Sequence, residues 1–253
     1  MKKLSLATIG ALALALVTLL AVRILNGPPQ AVAAALPPAA PGQPGGPVPS
    51  TAAALTVEYR AQPTNTTVEI QGTSTFHDWE MKGTSIGGIL DFPAGTVFDL
   101  SQATLPGLKD GSLPASGTAS IAVRNIHSQV AVMPGVMDGV MQGAMKETNF
   151  PRIIYQVTAL KLKTPHAAGQ PFAFDATGNL AIAGVTNTVA FPVTIEPLDK
   201  GKIVVRGAAS LKMTDYKVPP PAPNIAGLGI MKCGDEVKIL FNWTLMQVPP
   251  KQP

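Results

Sequence analysis

Four methionines at four-residue spacing, Met133, Met137, Met141 and Met145, form the most distinctive chemical pattern in the sequence. This spacing places their thioethers on one face of a helix that we expect over residues 135–148. Flexible, polarizable thioethers pack well against an irregular apolar molecule, and they also bind Cu(I). Packing on an ordinary protein core is a third interpretation, and the spacing alone leaves all three open.

Two histidines and an aspartate supply the other candidate polar groups. His77 and Asp78 precede Trp79 in a segment that we expect to be a strand, where neighbouring side chains point to opposite faces. They are therefore unsuited to act as one catalytic pair. The functional role that we assign to His77, Asp78 and His127 is contact with the headgroup of a ligand. The histidines have no partner at H-x-x-x-H spacing, so our first interpretation includes no metal site.

The sequence lacks the short motifs that are typical of hydrolases and nucleotide-binding enzymes. It contains neither G-x-S-x-G nor a P-loop, and we predict that the protein is not an enzyme and requires no cofactor. Cys233 is the only cysteine, which excludes an internal disulfide.

The first part of the chain differs in composition from the rest. Two lysines precede the run Leu4–Val22, which has no charged residue and is typical of a secretory signal. A cleaved signal peptide and a retained membrane anchor over residues 1–35 both remain open, and either predicts an exported protein, periplasmic or extracellular. Residues 36–54 are rich in Pro, Ala and Gly without charge, which predicts a linker.

The net charge of +4 comes mostly from this N-terminal part. Lys2, Lys3 and Arg23 precede residue 55 without any acid, which leaves 16 basic and 15 acidic residues for the remainder. The remaining domain is nearly neutral, so nucleic acid is a poor candidate for a partner.

Alternation of apolar and polar residues dominates residues 55–247, which we assign to one domain, with a disordered tail over 248–253. Period-two runs separated by turn residues predict an all-β antiparallel domain of eight to ten strands. Closing such a sheet removes its exposed edges, which favours a barrel, and the alternation leaves a filled and a hollow interior equally open.

Individual runs give more specific expectations. In the run 152–162, Tyr155, Val157 and Ala159 fall on one face and Leu160 on the other. Further along the chain, one face is shared by Phe172, Phe174, Leu180 and Ile182, and another by Phe241 and Trp243. We predict turns at Asp110-Gly111, at residues 184–187 and at residues 199–201. Residues 218–230 hold four prolines, so we expect a long loop that covers one end of the barrel.

Four segments carry a resemblance to a known family. They are residues 72–79 (GTSTFHDW), 149–153 (NFPRI), 178–193 (GNLAIAGVTNTVAFPV) and 211–221 (LKMTDYKVPPP). In order and spacing they resemble the YceI-like family of exported proteins. The resemblance implies a lipocalin-like antiparallel β-barrel of about eight strands with a helix near one mouth. It also implies a long isoprenoid or quinone-like chain bound in an apolar tunnel.

The sequence departs from that family at one point. Many relatives carry a segment rich in Arg, Asp and His just before and within the helix. Here residues 125–129 are Asn-Ile-His-Ser-Gln, followed by Val and Met, which indicates a more apolar lining or a different ligand.

Together these observations predict an exported lipid-binding protein that holds a polyisoprenoid or quinone-like chain for transport, storage or stress response. Membrane association would follow from a retained N-terminal segment. The alternatives are a periplasmic copper or haem protein with His and Met ligands, and an interaction module with a filled barrel. The predicted wall of the lipid site consists of Phe76, Trp79, Met133, Met137, Met141, Met145, Phe172, Phe174, Phe191, Phe241 and Trp243.

Overall fold

The computed structural model describes residues 56–130, 134–163, 167–225, 227 and 229–249, all within the compact unit Ala52–Pro253. The predicted N-terminal segment and linker, and Met133, lie outside the described residues. Among the described residues there is one α-helix, α1 (Pro134–Ala144). The described strands are β1 (Thr56–Ala61), β2 (Thr67–Ser74), β3 (Trp79–Gly83), β4 (Gly87–Pro93), β5 (Ser112–Leu113), β6 (Ser116–Ala122), β7 (Ile126–Ser128), β8 (Arg152–Leu162), β9 (Phe172–Ile182), β10 (Val185–Leu198), β11 (Lys202–Lys212), β12 (Asn224–Ile225), β13 (Gly229–Ile230) and β14 (Cys233–Gln247).

Eight of these strands form a closed antiparallel barrel in the order β1-β4-β6-β8-β9-β10-β11-β14. The last strand, β14, closes the ring. It pairs with β11 over most of its length and with β1 at its C-terminal end, where Ala61 lies opposite Leu245. The predicted barrel of about eight strands with one helix is confirmed. Each strand of the ring pairs with a neighbour on both sides over at least part of its length, so no strand of the ring is an edge strand.

Three further strands continue the barrel at its other end. β2, β3 and β7 pair in that order beyond β14, and each is next in sequence to a strand of the ring: β1, β4 and β6. The step from β1 to β2 is held by two buried threonines. The Thr66 hydroxyl accepts a hydrogen bond from Thr244 N at 3.2 Å, and the Thr244 hydroxyl donates to Asn65 O at 2.8 Å. These bonds satisfy polar groups that burial would otherwise make costly.

The end of the barrel that contains β1 is filled with side chains. Every second residue of β9, from Phe172 to Ile182, is buried, which confirms the alternation predicted there. The rings of Phe92 and Phe98 lie edge to face with centroids 5.1 Å apart, and those of Phe98 and Phe172 do so at 5.8 Å. Edge-to-face contact is a favoured aromatic geometry, and this packing leaves Phe172 and Phe174 fully buried.

A bulge in β8 changes the faces that alternation predicts. The register between β8 and β9 shifts between Val157 and Ala159, so Thr158 is the extra residue. Beyond it Leu160 is buried and Ala159 is exposed. The prediction that Ala159 shares a face with Tyr155 was therefore wrong, because one inserted residue reverses the alternation that follows it.

Helix α1 begins at Pro134, a residue that suits the first turn because its missing N–H has no partner there anyway. The helix ends at Ala144, before the predicted end at residue 148. Lys146 adopts the left-handed conformation, with φ of 54°. Its N–H donates to Gly143 O, and the N–H of Glu147 donates to Gln142 O, both at 3.0 Å. This pair of bonds is the Schellman arrangement that terminates a helix.

Two of the three predicted turns are confirmed, and the third is displaced. Asp110-Gly111 and Lys200-Gly201 have positive φ at both residues, as tight hairpin turns require. The third turn lies at Ala183-Gly184, with φ of 49° and 85°, rather than at residues 184–187, because Val185 already belongs to β10. In its described residues, the proline-rich segment 218–230 is a loop with the short β12–β13 hairpin.

Candidate ligand-binding cavities

An apolar cavity of about 110 Å³ lies inside the barrel, and we call it the inner cavity. Aliphatic and aromatic side chains surround it, and none of the described residues that line it carries a charge. This environment favours hydrocarbon and disfavours ions. Its lining residues are Val68, Ile70, Ile86, Leu90, Ala119, Ile121, Ile153, Tyr155, Val157, Leu160, Ala176, Leu180, Phe191, Val193, Ile195, Val205, Ala209, Ile239, Phe241 and Trp243.

A row of three aromatic rings crosses the wall of this cavity. The ring centroids of Tyr155 and Phe191 are 5.0 Å apart, and those of Phe191 and Phe241 are 5.9 Å apart. The rings come from alternate strands, and the strands between them carry glycines beneath the rings. A Cβ at Gly178 would lie 2.6 Å from Tyr155 Cζ, and one at Gly207 would lie 2.5 Å from Phe241 Cζ. The glycines make room for the rings, as they do elsewhere in sheets where side chains pack closely over the backbone.

The structure divides the predicted aromatic wall into two groups. Phe191, Phe241 and Trp243 line the inner cavity. Phe172 and Phe174 do not line it, because they fill the core at the β1 end of the barrel. Their periodicity showed correctly that they point inward, but periodicity carries no information on where along its axis a barrel is filled.

A second cavity of about 120 Å³ lies beside α1, and we call it the outer cavity. Its lining is rich in sulfur. Met137, Met141 and Met145 of the predicted methionine face all line it. The other sulfur-containing residues that line it are Met81, Met213 and Cys233. Val218 and Pro221 of the proline-rich loop also line it, in agreement with the prediction that this loop covers one end of the barrel.

The inner and outer cavities are neighbours. Ile70, Ile153 and Ile239, from three different strands, line both of them. All three side chains are apolar, so the boundary that the two cavities share is apolar. An elongated apolar molecule that passed this boundary would extend from the barrel interior to the face of α1.

Polar contacts hold α1 against the barrel. Asp138 accepts a hydrogen bond from Ser128 N at 2.6 Å through Oδ1, and its Oδ2 lies 2.8 Å from His127 Nδ1. Beyond the end of the helix, Glu147 pairs with Arg124 at 3.0 Å. No described residue of α1 is fully buried. The helix is therefore held by these polar contacts together with partly buried Met141 and Ala144, which pack against the barrel.

The predicted headgroup residue His127 is engaged by this attachment. Its side chain is 59% exposed and faces Asp138, and it lines neither cavity. The sequence pattern could not show this, because the partner lies eleven residues away in the helix.

Phe76, His77 and Asp78 form a turn rather than part of a strand. β2 ends at Ser74 and β3 begins at Trp79. The Ser74 hydroxyl donates to His77 O at 2.6 Å, and His77 Nδ1 lies 2.6 Å from Asp78 O. The expectation that His77 and Asp78 sit on opposite faces of a strand was therefore wrong. None of the three residues lines either cavity, and Phe76 is 46% exposed.

Trp79 lines the outer cavity, where its ring covers Gly72 on the adjacent strand. A Cβ at Gly72 would lie 2.2 Å from the ring. The indole Nε1 donates to Thr73 O at 3.0 Å, so the polar edge of the ring is satisfied by the protein. The apolar face remains available to a ligand.

Burial raises the pKa of two groups that line these cavities. It raises the pKa of Tyr155 to about 12, and it raises the pKa of the Cys233 thiol. Both groups stay neutral at physiological pH, because desolvation disfavours their charged forms. Tyr155 was not among the predicted site residues. The alternation of its strand could have indicated that Tyr155 points inward. That Gly178 lies beneath its ring becomes known only from the alignment of β8 with β9.

The described residues show neither a clustered metal site nor a membrane-spanning helix. No group of three or more His, Cys, Asp and Glu side chains in the described part of the chain could hold a metal ion. Within the same residues, no helix has both the length and the apolar character needed to cross a membrane.

Comparison of the sequence with protein-family models agrees with the barrel fold described above. The YceI-like domain matches residues 59–245, which spans nearly all of the barrel. The chain belongs to the YceI-like family. No curated protein matches the sequence.

Solved structures support the same fold for this YceI-like protein. BcnA from Burkholderia cenocepacia is 17% identical, with a TM-score of 0.50, and the alignment covers 73% of this chain and 98% of that one. A polyisoprenoid-binding domain from Saccharophagus degradans, implicated in plant cell wall breakdown, is 13% identical, with a TM-score of 0.52 over 75% of this chain and 98% of that one. At these identities the similarity shows the fold.

Proposed function

We propose that this YceI-like protein binds a polyisoprenoid or quinone-like lipid, with the apolar chain in the inner and outer cavities. The observation that carries the proposal is the pair of adjoining, mostly apolar cavities that share three isoleucines in their lining. Burying hydrocarbon is worth about 0.8 kcal/mol per methylene group, so a long chain gains more from this site than a short one. The polyisoprenoid-binding domain with a similar fold supports the same class of ligand.

A carrier or storage protein of the exported compartment is the role that fits this binding. The charge-free apolar run near the N-terminus supports export. An enclosed site protects the lipid chain from water during movement between membranes. This role involves no bond making or breaking, and binding is the whole activity that we propose.

Mass spectrometry of an organic extract tests this proposal. The protein is purified from its native compartment without detergent, and the extract is compared with that of an unrelated exported protein prepared in parallel. A prenyl lipid or quinone at near-stoichiometric amount is the expected result. Extracts that match the control, together with no binding of added prenyl lipid, would contradict the proposal.

A copper protein is the second candidate, and the sulfur-rich outer cavity is the observation that favours it. Five methionines and Cys233 line this one cavity, and soft thioether ligands select Cu(I). The raised pKa of Cys233 works against a thiolate ligand at neutral pH. Metal analysis of the same purified sample decides between the two: stoichiometric copper without lipid would favour the second candidate.

A further inference from the structure

The wall of the barrel contains a gap between β10 and β11. The ladder between these strands runs from Leu198 opposite Lys202 to Val193 opposite Gly207 and ends there. The next segment of β10, residues 187–192, pairs only with β9, and residues 208–212 of β11 pair only with β14. We call this opening between two described segments the wall gap; a groove of about 1000 Å³ occupies it.

The sequence explains where the wall gap begins. Pro192 is the first residue of β10 beyond the last ladder pair with β11, and proline has no N–H to donate to a neighbouring strand. At the other end of the gap, Asn187 Nδ2 donates to Asp215 O at 2.9 Å. The gap is thus a window framed by a ladder pair on one side and a side-chain hydrogen bond on the other.

The window borders both cavities. Phe191 and Ala209 line the inner cavity as well as the wall gap. Leu211 and Tyr216 line the outer cavity as well as the wall gap. An apolar chain in either cavity would therefore have an end within reach of the window.

The rim of the window is polar. Asn187, Thr188 and Ser210 lie along it with Lys212, Asp215 and Glu236. Lys212 lies opposite Glu236 in the ladder, and the rim carries one positive and two negative groups. In an antiparallel strand, alternate backbone N–H and C=O groups face each side, so the unpaired segments add hydrogen-bonding groups. This rim suits an uncharged polar group and disfavours an anion such as a diphosphate.

Among the described residues, the end of the barrel beside α1 has fewer free polar groups that could bind a headgroup. His127 there is engaged with Asp138, and Arg124 with Glu147. The lining of the outer cavity is mostly apolar and sulfur-containing, and its charged member, Lys212, also lines the wall gap.

We propose that the wall gap holds the headgroup of the bound lipid, and that this headgroup is an uncharged hydrogen-bonding group such as a hydroxyl or a carbonyl. The inference rests on the proposed function, because it assumes that a lipid chain fills the cavities. It assigns a headgroup site in the side of the barrel rather than at the mouth beside the helix.

A matched pair of tryptophan variants tests this headgroup site. Ala190 is exposed at the wall gap, and Ala159 is exposed on the outer face of β8. Ala190→Trp fills the window, and Ala159→Trp adds the same ring elsewhere on the barrel. Binding of farnesol, farnesyl diphosphate and the saturated hydrocarbon farnesane is measured on the purified full chain, and circular dichroism checks that each variant is folded.

The expected result has three parts. Wild type binds farnesol roughly tenfold or more tightly than farnesyl diphosphate, the difference that one or two lost polar contacts would produce. Ala190→Trp loses about tenfold in farnesol affinity and retains farnesane binding, since only the alcohol uses the window. Ala159→Trp changes neither affinity.

Other outcomes distinguish failure of the headgroup site from failure of lipid binding itself. Unchanged farnesol affinity in Ala190→Trp, or an equal loss for farnesol and farnesane, would overturn the headgroup site while leaving lipid binding intact. Failure of wild type to bind any of the three probes would instead overturn the proposed function. If Ala190→Trp does not fold, cross-linking of wild type to a farnesol analogue with a photoreactive headgroup replaces it. Labels within residues 187–192 or 208–212 would support the site, and labels confined to α1 would refute it.

Discussion

His127 Nδ1 lies 2.8 Å from Asp138 Oδ2, so strand β7 and helix α1 are joined by a polar contact directly outside the outer cavity. The same carboxylate accepts the backbone N–H of Ser128 through its other oxygen. One side chain therefore connects the helix to the barrel through two hydrogen bonds. The helix has no fully buried described residue that would hold it independently.

Removing this carboxylate is expected to loosen the helix. Asp138→Ala loses two hydrogen bonds, of which the one to His127 is largely exposed, so we expect a loss of about 1 kcal/mol in local stability and several-fold faster lipid release. The measurement is the rate at which a fluorescent prenyl probe transfers to vesicles. The matched control is Arg60→Gln, which removes an exposed ion pair with Glu58 far from the helix. Equal release rates in wild type and Asp138→Ala would show that the helix does not control release.

Charge on the methionine face is expected to prevent lipid binding without unfolding the barrel. In Met137→Glu with Met141→Glu, two carboxylates face the apolar outer cavity, where an unpaired charge is costly beside hydrocarbon. Circular dichroism should be unchanged because both residues are only half-buried. Mass spectrometry of co-purified lipid is the measurement.

The conservative double variant Met137→Leu with Met141→Leu is the control, and it should retain lipid because shape and polarity are kept. Full retention of lipid by the glutamate variant would place the lipid chain away from α1.

Adding one methyl group is expected to have opposite effects at two glycines. A Cβ at Gly178 would lie 2.3 Å from Gln156 O, whereas nothing lies within 4 Å of a Cβ at Gly139. Gly178→Ala should lower the free energy of unfolding by about 1–3 kcal/mol through overpacking. Gly139→Ala should stabilise α1 by up to about 1 kcal/mol through higher helix propensity. Thermal and chemical denaturation measure both, and a Gly178→Ala protein as stable as wild type would rule out the close ring packing.

Ionisation of Tyr155 is expected to destabilise the protein at high pH. Its pKa in the folded state is about 12, above the value of about 10 for an exposed tyrosine. The raised pKa means that the stabilisation is complete below about pH 10 and is lost as the pH rises towards 12, because only the unfolded state ionises easily in that range. Denaturation at increasing pH measures this dependence.

Tyr155→Phe separates this tyrosine from the others. Burial also raises the pKa values of Tyr59 and Tyr216, so the variant should weaken the pH dependence rather than abolish it. At neutral pH it should be at least as stable as wild type, because the buried Tyr155 hydroxyl has no hydrogen-bond partner among the described residues. An unchanged pH dependence would mean that the pKa of Tyr155 is the same in the folded and the unfolded protein.

The general architecture follows from the sequence because it depends on repeated local patterns. Alternation along β9 and β14 predicts inward faces for Phe172 and Trp243, and both are buried. The spacing of Met137, Met141 and Met145 predicts one helical face, and all three line one cavity. These properties need only the period of the element in which the residues lie.

The features that the sequence did not predict depend on contacts between distant segments. The bulge at Thr158 reverses the face of Leu160, and only the register against β9 reveals it. His127 meets Asp138 because a turn of helix brings the carboxylate back to β7. The wall gap begins at Pro192, but proline in a strand is compatible with several positions until its neighbour is known. Whether a barrel is hollow likewise depends on how side chains from all strands meet.

The two ends of the barrel serve different purposes, stability at the filled end and ligand binding at the hollow end, and these two requirements usually compete. Phe92, Phe98 and Phe172 form a packed core at one end, while the cavities and α1 occupy the other. Substitutions on α1 therefore act away from this aromatic core and on a second, smaller cluster, against which Met141 and Met145 pack. Divergent evolution can exchange the lipid that such a barrel accepts while the fold persists, and a protein engineer can use the same separation to build new binding sites at the α1 end.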